Sequence, residues 1–204
     1  IHHFPQWVED VMETKNISST KEFKKVESLL KIHSHLKKIV FTGNIGECQN
    51  FPSVLKALEI LKHRNDFVLL IIGSGREEGH VRRLVSDNGL ENQVKLLGRF
   101  PVEYMPSFYY FSDALLLPLA KDPLFEITLP GKTQNYLYAG RPIIGFLDGE
   151  GASVLRSSNS AFVCGAGNYI ELANVIEQVC NSSQIELNEL GSSAKRYAEK
   201  HFLS

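Results

Sequence analysis

The run from Pro130 to Ile144, Pro-Gly-Lys-Thr-Gln-Asn-Tyr-Leu-Tyr-Ala-Gly-Arg-Pro-Ile-Ile, holds the residues best spaced to do chemistry. It reads as a loop, two or three helical turns, a glycine stop and a short buried strand. Pro130 and Gly131 punctuate the start, Gly140 suits the residue after the helix, and Pro142 forbids continuation. Lys132 falls in the first turn, where the positive end of a helix disfavours a cation. An anion held between the lysine and the free backbone N–H groups explains the placement, and a phosphate or diphosphate fits. A solvated lysine at a helix start is the plainer alternative.

Three glycine-bearing turns accompany it: Gly43-Asn44-Ile45-Gly46 with Gln49 close behind, Gly73-Ser74-Gly75, and Gly98-Arg99. Each follows an apolar run, so each falls at a strand end, where glycine lets a backbone come close to a ligand. One such turn says little, because α/β turns are routinely rich in glycine. Three of them beside Lys132 point to a nucleotide. The dinucleotide fingerprint is absent: the first turn lacks its glycine spacing, and the second strand ends in Ile71-Ile72-Gly73 rather than an acid. Gly131-Lys132-Thr133 resembles the tail of a P-loop, but the glycine with which that loop begins is missing.

Positioning these turns requires an alternation of strands and helices. Apolar runs predict strands at residues 38–42, 67–72, 94–97, 114–117, 142–146 and 161–164. Helices are expected at 19–35, 51–61, 77–88, 102–110, 169–179 and 187–201, besides the one carrying Lys132. In the first helix Phe23, Val26, Leu29, Leu30 and Ile32 form the expected apolar stripe. The fold class is therefore α/β, a doubly wound parallel sheet of about six strands, with ligands along the strand C-terminal ends. Residues 1–36 read as a linker and leading helix, and 37–204 as the binding domain. The aromatic cluster Tyr104, Phe108, Tyr109, Tyr110 and Phe111 reads as packing, and His80 and His201 receive no role.

Bulk properties narrow the function classes. At 204 residues and 43% hydrophobic content the chain can bury a sizeable core. A net charge of −1 gives no support for a nucleic-acid partner. Cys48, Cys164 and Cys180 have neither metal-ligand spacing nor an even-numbered framework, which is reduced, cytoplasmic usage. No apolar stretch approaches the roughly 18 residues that a membrane span needs. The start at Ile1 and the helical reading of the last residues suggest a domain excised from a longer protein.

In order and register, these motifs resemble the C-terminal domain of retaining, family-4 glycosyltransferases of the GT-B fold. The resemblance runs from about Lys38 to His201. It rests on the Gly43 turn, Gly73-Ser74-Gly75, Val94-Lys95-Leu96-Leu97-Gly98-Arg99, Ser112 through Pro118 and, above all, Pro130-Gly131-Lys132 through Ile144. Gly43-Asn44-Ile45-Gly46 with Gln49 is most similar to bacterial enzymes that add N-acetyl-L-fucosamine or related sugars in O-antigen and capsule assembly. Phe4-Pro5-Gln6-Trp7-Val8-Glu9 is similar to the linker between that family's two domains.

The resemblance implies that this chain binds a UDP-sugar donor, with Lys132 as the catalytic contact to the diphosphate and no metal or other cofactor. Gly43, Asn44, Gly46, Gln49, Gly73 and Gly75 would face the phosphates, and Gly98 and Arg99 the base. Glu126, Thr128, Pro130 and Asn135 complete the donor-contacting set. The chain departs from the family at three places: Glu126 is adjacent to the expected glutamate position, Asn135 replaces the ribose-holding glutamate, and Asn44 and Gln49 replace an arginine and a lysine. The implied partners are the protein's own N-terminal domain and a glycan or lipid-linked acceptor. The implied location is the cytoplasm, at the inner membrane face where the acceptor is lipid-linked. A UDP-sugar 2-epimerase half-domain and a non-catalytic nucleotide-binding module are the competing readings.

Overall fold

Phe67 to Ile72 is buried at every residue, as a strand covered on both faces must be. It lies inside a six-stranded sheet of order β3-β2-β1-β4-β5-β6, every neighbouring pair parallel. The protein is seen here as a computed structural model that describes residues 17–202, so the arm with Phe4, Pro5 and Trp7 lies outside the described residues. The elements in chain order are α1 (Lys21–Leu30), β1 (Lys37–Thr42), α2 (Phe51–Ile60), β2 (Phe67–Ile72), α3 (Glu78–Asp87) and β3 (Val94–Gly98). They continue as α4 (Met105–Tyr110), β4 (Ala114–Pro118), α5 (Pro123–Glu126), α6 (Lys132–Tyr138) and β5 (Ile143–Phe146). The chain closes with α7 (Gly149–Ser157), β6 (Ala161–Cys164), α8 (Tyr169–Asn181) and α9 (Gln184–His201).

Alternate residues of each strand feed two cores. Ile39, Phe41, Phe67, Leu69 and Ile71 face α2, α3 and α8, while Val40, Val68, Leu70 and Ile72 face α1, α4, α6, α7 and α9. This is the doubly wound α/β arrangement that the strand–helix alternation predicts. The order reverses between β1 and β4, and in such sheets the crevice beyond the strand C-termini at the reversal is where ligands sit.

Three local expectations change. The first helix ends at Leu30 and passes into a 3-10 turn, Lys31–His33. Phe23, Val26 and Leu30 are buried, but Leu29, at the edge of that stripe, is 39% exposed, and Ile32, which the tightened turn rotates off the core, is 74% exposed. Residues 102–104 are 3-10 rather than α-helical, with Pro106 near the start of the helix that follows. The crossover helix α7 has no counterpart in the sequence reading. Its first turn holds Gly149 and Gly151, which carry no helical signal of their own.

Candidate functional site

The turns after β1, β2 and β3 are laced side by side, extending the sheet ladder past its last strand residues. Gly43 N–H donates to the Ile72 carbonyl at 2.8 Å, Gly73 N–H to the Gly98 carbonyl at 2.8 Å, and Ile45 N–H to the Ser74 carbonyl at 3.0 Å. The approach demands glycine at two places. Gly73 has φ +149°, and a Cβ there would stand 1.8 Å from the Gly43 carbonyl oxygen. At Gly43, with φ +129°, a Cβ would stand 2.5 Å from Lys132 Cε and 2.8 Å from its Nζ.

These turns floor a cleft of about 910 Å³ lined by Gly43, Asn44, Gly73, Arg99, Phe100 and Met105 among others. The lining combines the glycine turns and polar Asn44, Ser74 and Arg99 with apolar Phe100, Pro101 and Val102. That is the combination a nucleotide requires, phosphates over N–H groups and a base against carbon.

Lys132 stands at the first position of α6 and lies across Gly43 at the switch between β1 and β4. Its Nζ is 4.3 Å from the centroid of the Phe41 ring, a favourable seat for a cation. Burial pushes its pKa down to about 8. Among the described residues no carboxylate or carbonyl is paired with this ammonium. Because α6 has only seven residues, the side-chain charge matters more here than a helix dipole.

The remaining candidates divide by their surroundings. Asn44 is exposed on the turn, its amide wedged beside Gly46 and Gly75. Gln49 Oε1 accepts the Gly46 N–H at 3.0 Å, so this side chain shapes the turn that the reading expected it to help line. Gly75 packs on the backbone of Ile45. Gly98 has φ +78° with open space around it, and Arg99 is exposed on the cleft wall.

Glu126, Thr128, Pro130 and Asn135 lie on the β4–β5 side of the switch. Thr128 Oγ1 donates to the Leu124 carbonyl at 3.0 Å, closing the short helix α5, which Asp122 caps through Leu124 N–H at 2.8 Å. Glu126 is exposed, while its backbone rests on Gly149, where a Cβ would be 2.0 Å from the Glu126 carbonyl oxygen. Pro130 sits on Gly151 in the same way. Asn135 is half-buried on α6.

The sequence reading missed that α7 is the seat of this loop, and it missed a hydroxyl cluster at the end of β1. Thr42, Tyr109 and Tyr136 are buried together, with Thr42 Oγ1 3.0 Å from Tyr109 Oη and 3.2 Å from Tyr136 Oη. The signal available for the second was the four-residue spacing of Lys132 and Tyr136, which puts both on one helix face.

Comparison with known proteins gives the family and the fold. The family described as "Glycosyl transferases group 1" matches residues 36–182. A probable glycosyltransferase of Pseudomonas aeruginosa, WbjE, is 23% identical over 168 residues, covering 79% of this chain and 40% of that protein. The putative colanic acid biosynthesis glycosyl transferase WcaI of Escherichia coli is 24% identical over 140 residues, 67% of this chain and 32% of its own length. The solved structure of Anabaena HepE in complex with UDP-glucose superposes with a TM-score of 0.75 at 18% identity, over 95% of this chain and 50% of that one. The chain thus spans well under half the length of these curated relatives.

Proposed function

Because the chain belongs to the group 1 glycosyl transferases, we propose that it is the donor-binding half of a retaining enzyme that moves a sugar from a UDP-sugar to a growing surface polysaccharide. The observation that carries this reading is the ammonium of Lys132, desolvated over Phe41, without a counter-ion among the described residues and laid against the Gly43 turn. A buried cation costs stability unless an anion arrives. In this reading the anion is the donor diphosphate. The β-phosphate oxygen gains charge as its bond to the sugar anomeric carbon breaks, so Lys132 stabilises the leaving group most in the transition state. The Gly43 and Gly73 turns bring backbone to the other side of the phosphates. Arg99, Phe100 and Val102 receive the base, and Asn135 the ribose side. Charge neutralisation is assigned to Lys132 and not to a metal ion.

The Gly43-Asn44-Ile45-Gly46 turn with Gln49 makes UDP-N-acetyl-L-fucosamine the first donor to test. The acceptor, a glycan or lipid-linked saccharide, would meet the donor at a second domain of the enzyme. The setting we propose is the cytoplasm, at the inner membrane face for a lipid-linked acceptor; no helix among the described residues is long and apolar enough to cross a membrane.

The test has two arms. Calorimetry of this chain with UDP is expected to show binding that Lys132→Ala weakens, and equal binding by both proteins would overturn the assignment. Incubating the intact enzyme with a UDP-sugar panel is expected to release UDP only when acceptor is present, with a chelator making no difference. Interconversion of the UDP-sugar without acceptor would establish the epimerase alternative, and binding without any turnover the non-catalytic one.

A pH dependence follows. With the free ammonium titrating at about 8, about nine-tenths is charged at pH 7 and about one-tenth at pH 9. The association constant for UDP should therefore fall roughly tenfold between those values as the cation is lost. Calorimetry across the range checks this, and Lys132→Met should show no such slope.

A further inference from the structure

We infer that Tyr136 is a positioning residue for Lys132, its hydroxyl clamping α6 to the last residue of β1 so that the ammonium lies against the Gly43 turn. The inference rests on the diphosphate role of Lys132 proposed above. Backbone groups of β1 alternate in direction: Lys37 and Gly43 donate toward the β2 side, to the Asp66 and Ile72 carbonyls, so Thr42 N–H points toward β4. The β1–β4 ladder pairs Ile39 with Ala114 and Val40 with Leu115 and stops there. Thr42 N–H therefore reaches the switch without a strand partner.

Tyr136 supplies the acceptor. Its hydroxyl takes the Thr42 N–H at 3.0 Å, and Thr42 Oγ1 joins it to Tyr109 of α4. The two tyrosine rings also meet edge to face at 5.7 Å. Three elements, β1, α4 and α6, are thereby fixed through three buried hydroxyls within one residue of Gly43. Lys132 is one turn before Tyr136 on the same face of α6, and its ammonium lies over the ring of Phe41, the neighbour of Thr42. Leu137 anchors α6 in the core shared with α9, and the Tyr136 hydroxyl links its other side to β1. Burial pushes Tyr136 up to about 12 and Tyr109 higher still, so both stay neutral while Lys132 titrates.

The test uses Tyr136→Phe and Thr42→Val in the 204-residue chain, with Thr42→Ser, which keeps the hydroxyl, as the rescue. Two readouts are taken: UDP affinity by calorimetry, and the titration midpoint of the Lys132 amine by NMR of lysine labelled at Cε, assigned with Lys132→Met. Tyr136→Phe is expected to weaken UDP binding about tenfold and to raise the Lys132 midpoint toward the ordinary lysine value; Thr42→Val, which keeps the backbone N–H and loses only the Oγ1 links, is expected to do both to a smaller extent. Thr42→Ser should match the unsubstituted chain. In a Lys132→Met background, Tyr136→Phe should cost no further affinity. Should Tyr136→Phe fail to fold, Thr42→Val carries the comparison. Variants that melt earlier yet keep both the midpoint and the affinity would reduce the cluster to a structural one and overturn the proposal. If the unsubstituted chain does not bind UDP, the diphosphate reading falls. The midpoint shift, measured without ligand, then decides the positioning claim alone.

Discussion

Replacing Lys132 by methionine is expected to stabilise the protein and to cost most of its affinity for UDP. The two effects have one cause. In the free protein the ammonium is held out of water against the Phe41 ring, and burial alone pushes its pKa from 10.5 to about 8. Methionine keeps the apolar stem over Phe41 and removes the charge. The full shift would correspond to about 3 kcal/mol at 1.36 kcal/mol per unit, and water reaching a half-buried group reduces that to roughly 1–2 kcal/mol. For a chain of this size the melting temperature should rise by about 2–6 °C.

The sign of the pH dependence is set by the direction of the shift. Between about pH 8 and 10.5 the unfolded chain binds the proton that the folded chain has released, so the wild-type protein gains stability as pH rises through that window. Below it both states are protonated and the penalty is present in full. The advantage of Lys132→Met should therefore be constant below pH 8 and vanish toward pH 10.5. Binding moves the other way, because a charge-assisted contact to phosphate is worth about 2–3 kcal/mol, or roughly 30- to 150-fold in Kd. Thermal melts from pH 6 to 10 and calorimetry with UDP test both halves. A variant that melts no later than the parent would show that the lysine is not strained in the free protein. One that binds UDP undiminished would remove it from the site.

That tension was half legible in the sequence. The type and place of Lys132, next to Pro130-Gly131 and ahead of a helix, drew attention to it because a cation is unexpected there. Its actual constraint comes from Phe41 and Gly43, ninety residues away in sequence, and no local pattern reveals a contact of that range. The strands were readable because burial on both faces leaves continuous apolar runs such as Phe67 to Ile72, and because glycine or proline follows each of the first four. Helix α7 was not, since it opens on Gly149-Glu150-Gly151, chosen for close approach of the Glu126–Pro130 loop at the expense of helix propensity.

The hydroxyl contacts of the tyrosines were not foreseen for a related reason. Tyr109 is packed in the core, as an aromatic run suggests, yet its hydroxyl meets Thr42. Whether a buried phenol is only ring or also a hydrogen-bonding group depends on which backbone groups the strand order leaves unpaired. Strand order is set by long-range pairing, so Thr42 acquires its need for Tyr136 only once β4 lies next to β1.

Three glycines give the second large effect, and their ranking is the sharper part of the prediction. Gly73→Ala should be severely destabilising, because two independent costs coincide: φ of +149°, which side chains rarely adopt, and a Cβ 1.8 Å from the Gly43 carbonyl oxygen. Backbone strain of about 1–3 kcal/mol and a comparable cost of forced repacking sum to roughly 2–6 kcal/mol. At about 2–4 °C per kcal/mol the melting temperature should drop by roughly 4–24 °C. Relief can come only by moving the Gly43 turn, which is also the surface on which Lys132 lies, so UDP affinity should fall with stability. Gly98→Ala meets only the first cost, φ of +78° with no atom within 4 Å, and should lose about 1 kcal/mol. Gly131→Ala meets neither, with φ of −57° and open space around it, and should be neutral or stabilising by up to about 1 kcal/mol. Denaturant titrations of the three variants give the order directly. A Gly73→Ala protein as stable as Gly131→Ala would mean that the first two turns are not in contact, and the cleft floor would have to be redrawn.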